Sequence, residues 1–297
     1  MQSVKPIQTV ELFPPLSAEL IGLLRRLSRA DWEKPTACAA WNVKQVALHL
    51  LGGNVGRLSR RRDELDIPEN LHAGYAFLWR VKDGLERPGK PINDYAELVQ
   101  WIDRTNAEWV QATDALETNA LIELLELSDA QVYEHFKRLD PDAPARISVL
   151  WAGETQSPNW FDIAREYTEK WLHQQHIRDA VNAPLLDTRE FLHPVLDTFL
   201  RALPHTYRAV PAPDGTTISF RITGQAGGDW SLVRQNDAWI LYSGSAPDVL
   251  TRVFMDQNLA WRVFTKGVSA EEARAQILID GDEMMGREIL KMVSIMA

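Results

Sequence analysis

Hydrophobic positions in the first 185 residues recur at helical spacing. From Ser17 to about Asp31, Leu20, Leu23, Leu24 and Leu27 fall on one stripe, the three-and-four spacing of an amphipathic helix. Pro14 and Pro15 precede that stripe, and Ser17 is its expected N-cap. Asn42 is placed to cap a second helix, in which Val43, Val46, Ala47 and Leu50 recur up to about Leu65. Gly52 and Gly53 interrupt it, each lowering helix preference by about 1 kcal/mol relative to alanine. Their presence points to close approach by another helix or to a local deformation. A third helix is expected from about Asp94 to Leu116, carrying Leu98, Trp101, Ile102, Thr105 and Trp109, after the loop Pro88-Gly-Lys-Pro-Ile-Asn. Between Thr118 and Trp160 the pattern weakens, and Pro141, Pro144 and Pro158 mark short helices and a long crossover. Asn159 or Ser157 then opens the strongest helix, through Ile163, Tyr167, Trp171 and Ile177 to about Val181. Four long helices with one extended connection describe a four-helix bundle, a fold that builds metal sites from side chains on facing helices.

After Pro184 the texture changes. One helix is expected from Phe191 to Leu203, and then Pro204, Pro211, Pro213 and Gly215 punctuate the chain. Three strand signals follow at Thr217–Thr223, Trp230–Arg234 and Ala238–Ser243. The links Gly224-Gln-Ala-Gly-Gly and Gln235-Asn-Asp are short and turn-rich, as antiparallel hairpins require. Helices are expected again from Ala246 to about Asp256, from Ser269 to about Gln276 and from about Asp282 to Met296. The fold class is therefore α plus α+β: a helical bundle over residues 1–185 and a smaller α+β domain over 186–297.

A chain of 297 residues accommodates two domains, and 45% hydrophobic with 25% charged residues is ordinary globular composition. A net charge of −9 argues against nucleic acid as a partner, which needs a basic stripe. The one basic run, Arg57 through Arg60, Arg61 and Arg62, is followed by Asp63, Glu64 and Asp66 and reads as the solvated end of a helix. It can still draw in an anionic substrate if it rims a cleft. The single cysteine, Cys38, excludes an internal disulfide and fits a reducing compartment. Met1-Gln-Ser-Val-Lys-Pro lacks the apolar core of a signal peptide and no stretch reaches membrane-spanning length, so a cytoplasmic protein is expected. Cys38, in Pro35-Thr-Ala-Cys-Ala-Ala-Trp41, reads as a small residue packed under the first helices rather than a nucleophile, since no histidine adjoins it in sequence.

The chemistry-bearing pattern lies in two distant segments. In Glu169-Lys-Trp-Leu-His173-Gln-Gln-His176, Glu169 and His173 stand four apart on one helix face, with His176 three further along. His49, in the second helix, can supply a third ligand. One carboxylate and two imidazoles suit a divalent ion such as zinc, with a coordination position left open for water or substrate. The plainer readings are a satisfied core histidine at 49 and a simple Glu169–His173 side-chain pair. His72, His135, His193 and His205 have no partner at ligand spacing and read as structural or exposed. Trp101 and Trp109 read as core, while Trp41 and Trp171 are near enough to the donors to wall a cleft.

The run from Asp31-Trp through Pro35-Thr and Trp41 to His49-Leu, together with Glu169 and His173 on the last bundle helix, resembles the mycothiol-dependent maleylpyruvate isomerase family of DinB-like metal-binding bundles. The resemblance implies metal ligation by His49, Glu169 and His173. Aspartate is common in relatives at the position of His176, which leaves its role open between ligand and neighbour. Trp230-Ser-Leu, Ser245-Ala-Pro-Asp-Val-Leu and Gly281-Asp-Glu resemble a sterol-carrier-like C-terminal domain, implying either a cover for the cleft or an apolar tunnel. In that family a bound cation holds a low-molecular-weight thiol as thiolate, which adds reversibly to an electrophile such as maleylpyruvate. The resemblance thus implies a metal- and thiol-dependent isomerase or S-transferase of small molecules. Mycothiol, glutathione and bacillithiol remain open as the thiol, and dimerisation is a further expectation for such bundles. Arg57, Arg60, Arg80, Arg221 and Arg262 are the candidate partners of a dianionic substrate. Two alternatives stay open: a metal-activated-water hydrolase on the same site, and a non-enzymatic protein that binds metal and an apolar ligand.

Overall fold

A computed structural model describes residues 1–61 and 95–295 of the chain. It falls into two compact units, one formed by Met1–Thr9, Asp140–Glu169 and Leu186–Ile295 and the other by Val10–Leu139 and Lys170–Leu185. The helical N-terminal part and the sheet-bearing C-terminal part give the fold class expected from the pattern.

In the helical unit, α1 spans Phe13–Leu24. Pro14 and Pro15 lie inside its first turn rather than before it, because N–H groups there have no intrahelical acceptor and proline loses nothing. Ser17 is accordingly not a cap; its Oγ donates to Asp129 at 2.7 Å. The helix stops at Leu24, short of the expected Asp31, and a Ser28–Asp31 capping box opens the separate short helix α2, Arg29–Trp32. Helix α3 runs Val43–Arg61. Asn42 caps it as expected: Gln45 N donates to Asn42 Oδ1 and Asn42 N to Gln45 Oε1, both at 3.0 Å. The expected end at Leu65, the loop from Pro88 and the start at Asp94 lie outside the described residues. Helix α4 spans Tyr95–Thr113. It comes so close to α3 that a Cβ on Gly52 would sit 2.5 Å from Trp109 Nε1, and that Nε1 donates to Leu48 O at 2.7 Å.

The segment expected to hold short helices instead forms α5, Thr118–Arg138, in 21 residues. Its buried stripe is Leu121, Ile122, Leu125, Ser128, Val132 and Phe136. A serine at the centre of that stripe breaks the apolar pattern in sequence, but Ser128 Oγ donates to Leu125 O at 3.2 Å and accepts from Asn54 Nδ2 at 2.9 Å, so the polar group is satisfied inside. Helix α6 spans Asn159–Val181, and the division between the units falls within it, after Glu169. Its second half joins the core built by α1, α3 and α5, with Trp171 and Ile177 0% exposed.

The other unit contains the first half of α6, helices α7 (Arg189–Leu200) and α8 (Leu203–Tyr207), and a six-stranded sheet. The expected Phe191–Leu203 helix is thus split, with Pro204 opening the second piece. The strands are β1 Gln2–Ser3, β2 Thr217–Thr223, β3 Gly228–Gln235, β4 Ala238–Ser243, β5 Thr251–Asp256 and β6 Leu278–Gly281, in spatial order β1-β4-β3-β2-β5-β6. The two expected hairpins are present and antiparallel; Asn236 and Asp237 take φ of +49° and +60°, the primed turn that matches strand twist. β2 and β5 are parallel. β5 occupies residues expected to be helical: Thr251, Val253 and Met255 are buried while Arg252 and Phe254 are less so, a period of two. Helix α9 follows at Gln257–Phe264, and α10, Ala270–Arg274, is shorter than expected and opens on a Ser269–Glu272 capping box. The last expected helix reduces to α11, Glu283–Arg287, and one 3₁₀ turn. Among the described residues no helix is long and apolar enough to cross a membrane.

Candidate metal centre

The site is built on α3, on α6 and on the loop preceding α3. In that loop Pro35 and Asn42 form an isolated bridge. Thr36 Oγ1 donates to Trp41 O at 2.8 Å, Cys38 N donates to Thr36 Oγ1 at 3.2 Å, and Trp41 N donates to Cys38 O at 2.8 Å. These bonds close the loop on itself immediately before the Asn42 cap, so Cys38 and Trp41 are held against the helices rather than swinging free. Trp41 lies on the His49 ring, centroids 4.8 Å apart.

His49 on α3 meets His173 on α6 with ring centroids 4.6 Å apart at 69°. Glu169 stands one turn before His173 on the same helix. One donor atom from each of His49, Glu169 and His173 lies within 4.8 Å of the other two. One carboxylate and two imidazoles in that proximity fit the donor chemistry of a zinc-class divalent ion. His173 is buried at 9% exposure, and Glu169 is half-buried.

His176 falls elsewhere. Its ring centroid is 5.5 Å from that of His173, and it groups with Cys38 and His173, not with Glu169. Cys38 Sγ is 3.0 Å from His176 Nδ1 and 3.7 Å from His173 Nδ1. Cys38 packs against the helical core as expected, and the structure adds two histidine neighbours that lie 135 and 138 positions away in sequence.

Behind the donors, Lys170 pairs with Asp129 at 2.9 Å and also donates to Asn54 Oδ1. Asn54 Nδ2 donates to Asp129 Oδ1 at 2.8 Å, so both half-buried charges are partnered. Trp171 is 0% exposed and belongs to the core rather than to a cleft wall, and Trp109 is the packing residue expected. His193 Nδ1 lies 2.8 Å from Ala226 O with its ring beside Trp230, a structural role. Burial, and then the charge of Arg208, hold His205 below its ordinary value. Among the described residues neither these histidines nor His135 joins a metal-ligating group. Arg57 lies over the Phe136 ring, Arg262 over the Trp261 ring, and Arg221 pairs with Asp229 at 2.6 Å. His72, Arg80 and the side chains of Arg60 and Trp101 lie outside the described residues.

A helical bundle that brings imidazoles and a carboxylate together from two of its helices defines the class: a bundle with a candidate metal site in its interior. Within that class the chain belongs to the mycothiol maleylpyruvate isomerase N-terminal domain family, whose pattern matches residues 13–178. Two crystal structures of the mycothiol-dependent maleylpyruvate isomerase are similar to the chain. A histidine-to-alanine mutant of it shares 10% identity over 89% of this chain and 91% of that one, with a TM-score of 0.49. The other structure shares 11% over the same coverage, with a TM-score of 0.47. No curated protein matches the chain.

Proposed function

We propose that this chain is a metal-dependent isomerase or S-transferase that uses a low-molecular-weight thiol on a small electrophile of the maleylpyruvate kind. The carrying observation is the convergence of His49, Glu169 and His173 within 4.8 Å, in a chain whose residues 13–178 belong to the isomerase family. Mycothiol is the thiol favoured by that membership, and zinc the ion favoured by the donor set. A divalent ion bound there would stabilise a thiolate at neutral pH.

The residues do the rest. Glu169 contributes one negative charge and the two imidazoles none, so the centre keeps a net positive charge that favours a thiolate and an anionic substrate. Trp41, lying on the His49 ring, restricts how far that ring can turn. Lys170, adjacent to Glu169 in sequence, is tied to Asp129 and Asn54, which fixes the turn of α6 from which Glu169 and His173 project. In the reaction the thiolate sulfur would bond to one alkene carbon while the π pair moves onto the conjugated carbonyl as an enolate. The remaining single bond rotates, and expulsion of the same sulfur restores the double bond in the trans geometry and returns the thiol unchanged. Isomerisation therefore consumes no thiol, whereas S-transfer retains the new bond to carbon.

Elemental analysis of the purified protein beside His49→Ala and His173→Ala tests the reading. One divalent ion per chain, lost in His173→Ala, with cis-to-trans conversion that requires added thiol and is absent in both variants, is the expected result. Metal retained in His173→Ala, conversion retained in His49→Ala, or no metal after reconstitution of the unaltered chain, overturns it. Thiol-independent hydrolysis of an amide or ester by the unaltered chain would support a hydrolase on the same donors instead.

A further inference from the structure

The thiol of Cys38 and the ring of His176 take no part in the reading above, yet they stand against one of its donors. Cys38 Sγ is 3.7 Å from His173 Nδ1 and 3.0 Å from His176 Nδ1, and one donor atom from each of the three lies within 4.8 Å of the others. We infer that Cys38, His173 and His176 form a second, thiolate-containing coordination site for a thiophilic divalent cation.

The spacing carries the argument. An ion bonded to sulfur at about 2.3 Å and to nitrogen at about 2.0 Å in tetrahedral geometry holds those two atoms about 3.5 Å apart. The Cys38–His173 separation is already within a few tenths of an ångström of that value, and the Cys38–His176 separation needs to open by only about 0.5 Å. His173 and His176 sit three apart on α6, so their rings share one helix face and converge without deforming the backbone. Cys38 is delivered by a loop that is hydrogen-bonded to itself on both sides, through Thr36 and Trp41. The third donor is therefore placed before any ion arrives.

One thiolate with two imidazoles is a softer donor set than the carboxylate and imidazoles of the neighbouring group, and softness selects zinc-like and softer ions over magnesium or calcium. A neutral imidazole ligates through one ring nitrogen and keeps a proton on the other, so His173 serves one group at a time and the two groups compete for it. Neither Glu169 nor His49 is needed for the second site, and the inference stands apart from the isomerase reading.

The test is titration of the metal-free, thiol-free 297-residue chain with cobalt(II), followed by absorption spectroscopy. Because Cys38 is the single cysteine of the chain, any thiolate-to-cobalt charge-transfer band in thiol-free buffer reports that residue. The band is expected in the unaltered protein and in His49→Ala and Glu169→Gln. It is expected to be absent in Cys38→Ser and Cys38→Ala and weaker in His176→Asn, with circular dichroism verifying that each variant is folded. Cobalt bound with no charge-transfer band overturns the inference and leaves the His49, Glu169 and His173 reading standing. Loss of the band in His49→Ala and Glu169→Gln also overturns it, since Cys38 would then ligate only as an adjunct of that centre. Failure to bind cobalt at all overturns both.

Discussion

Gly52→Ala isolates how α3 is set against α4, close to a candidate metal ligand. In an open helix the change stabilises by about 1 kcal/mol through backbone preference alone. At Gly52 the added Cβ would lie 2.5 Å from Trp109 Nε1 and 2.6 Å from Trp109 Cδ1, both part of a rigid indole that is itself fixed by donating to Leu48 O at 2.7 Å. Moving the indole breaks that bond, worth about 1 kcal/mol, and overpacking adds about 1–3 kcal/mol. The balance is a net loss of about 1–3 kcal/mol after the propensity gain is subtracted. Gly22 in α1 is the internal control: its Cβ would meet only Arg26 Nη1 at 3.5 Å, the end of a flexible side chain, so Gly22→Ala is expected to be neutral or stabilising by up to about 1 kcal/mol. Urea denaturation of the two variants beside the parent, read as midpoints at constant slope, makes the comparison. Equal midpoints for Gly52→Ala and Gly22→Ala would refute the close-approach argument.

Three further outcomes are expected. Lys170→Met should destabilise by about 1–3 kcal/mol, because it removes the cation from a half-buried Asp129 that keeps its donors from Ser17 and Asn54; adding Asp129→Leu should recover part of the loss, and a double variant no better than the single one would count against the pairing. Burial, and secondarily the charges of Glu190 and Glu288, push the Tyr167 and Tyr207 phenols above their ordinary value of 10.0, so the folded chain keeps protons that the unfolded chain releases. The contribution of these two groups should therefore be level below pH 10 and fall above it by up to about 1.4 kcal/mol per pH unit for each tyrosine, and denaturation midpoints of Tyr207→Phe should show a shallower alkaline fall. Truncation after Leu185 should yield an aggregating product in size-exclusion chromatography, because it removes Phe191, whose carbonyl accepts from Tyr167 Oη at 3.2 Å, and Phe199, which packs on Trp151; a soluble monomer with sharp thermal unfolding would contradict this.

The elements that can be read from sequence are those whose pattern is self-contained. Val43–Arg61 and Asn159–Val181 carry continuous helical periodicity and, for α3, a reciprocal Asn42–Gln45 cap, and β2 to β4 are joined by short turns that leave only antiparallel pairing. Thr118–Arg138 fails to show itself because Ser128 occupies a core position and is satisfied by a residue 74 positions away. Thr251–Asp256 fails for a related reason: six residues are too few to separate the two periods, and what makes them a strand is the parallel pairing of β5 with β2, a contact absent from the local sequence.

The same division runs through the donors. Glu169 and His173 are legible as a pair because four residues along any helix bring side chains to one face, whatever the helix packs against. His49 is legible only beside a known family pattern, since a histidine in an apolar helix stripe has no local signature of ligation. Cys38 is legible in neither way, because its adjacency to His176 spans 138 residues and depends on a loop that Thr36 folds back on itself. Local rules therefore deliver the half of the centre carried by α6, and tertiary packing delivers the half carried by α3 and its preceding loop. Changes at His173 should then disturb both donor groups, changes at Cys38 or His176 only the thiolate group, and changes at His49 or Glu169 only the other.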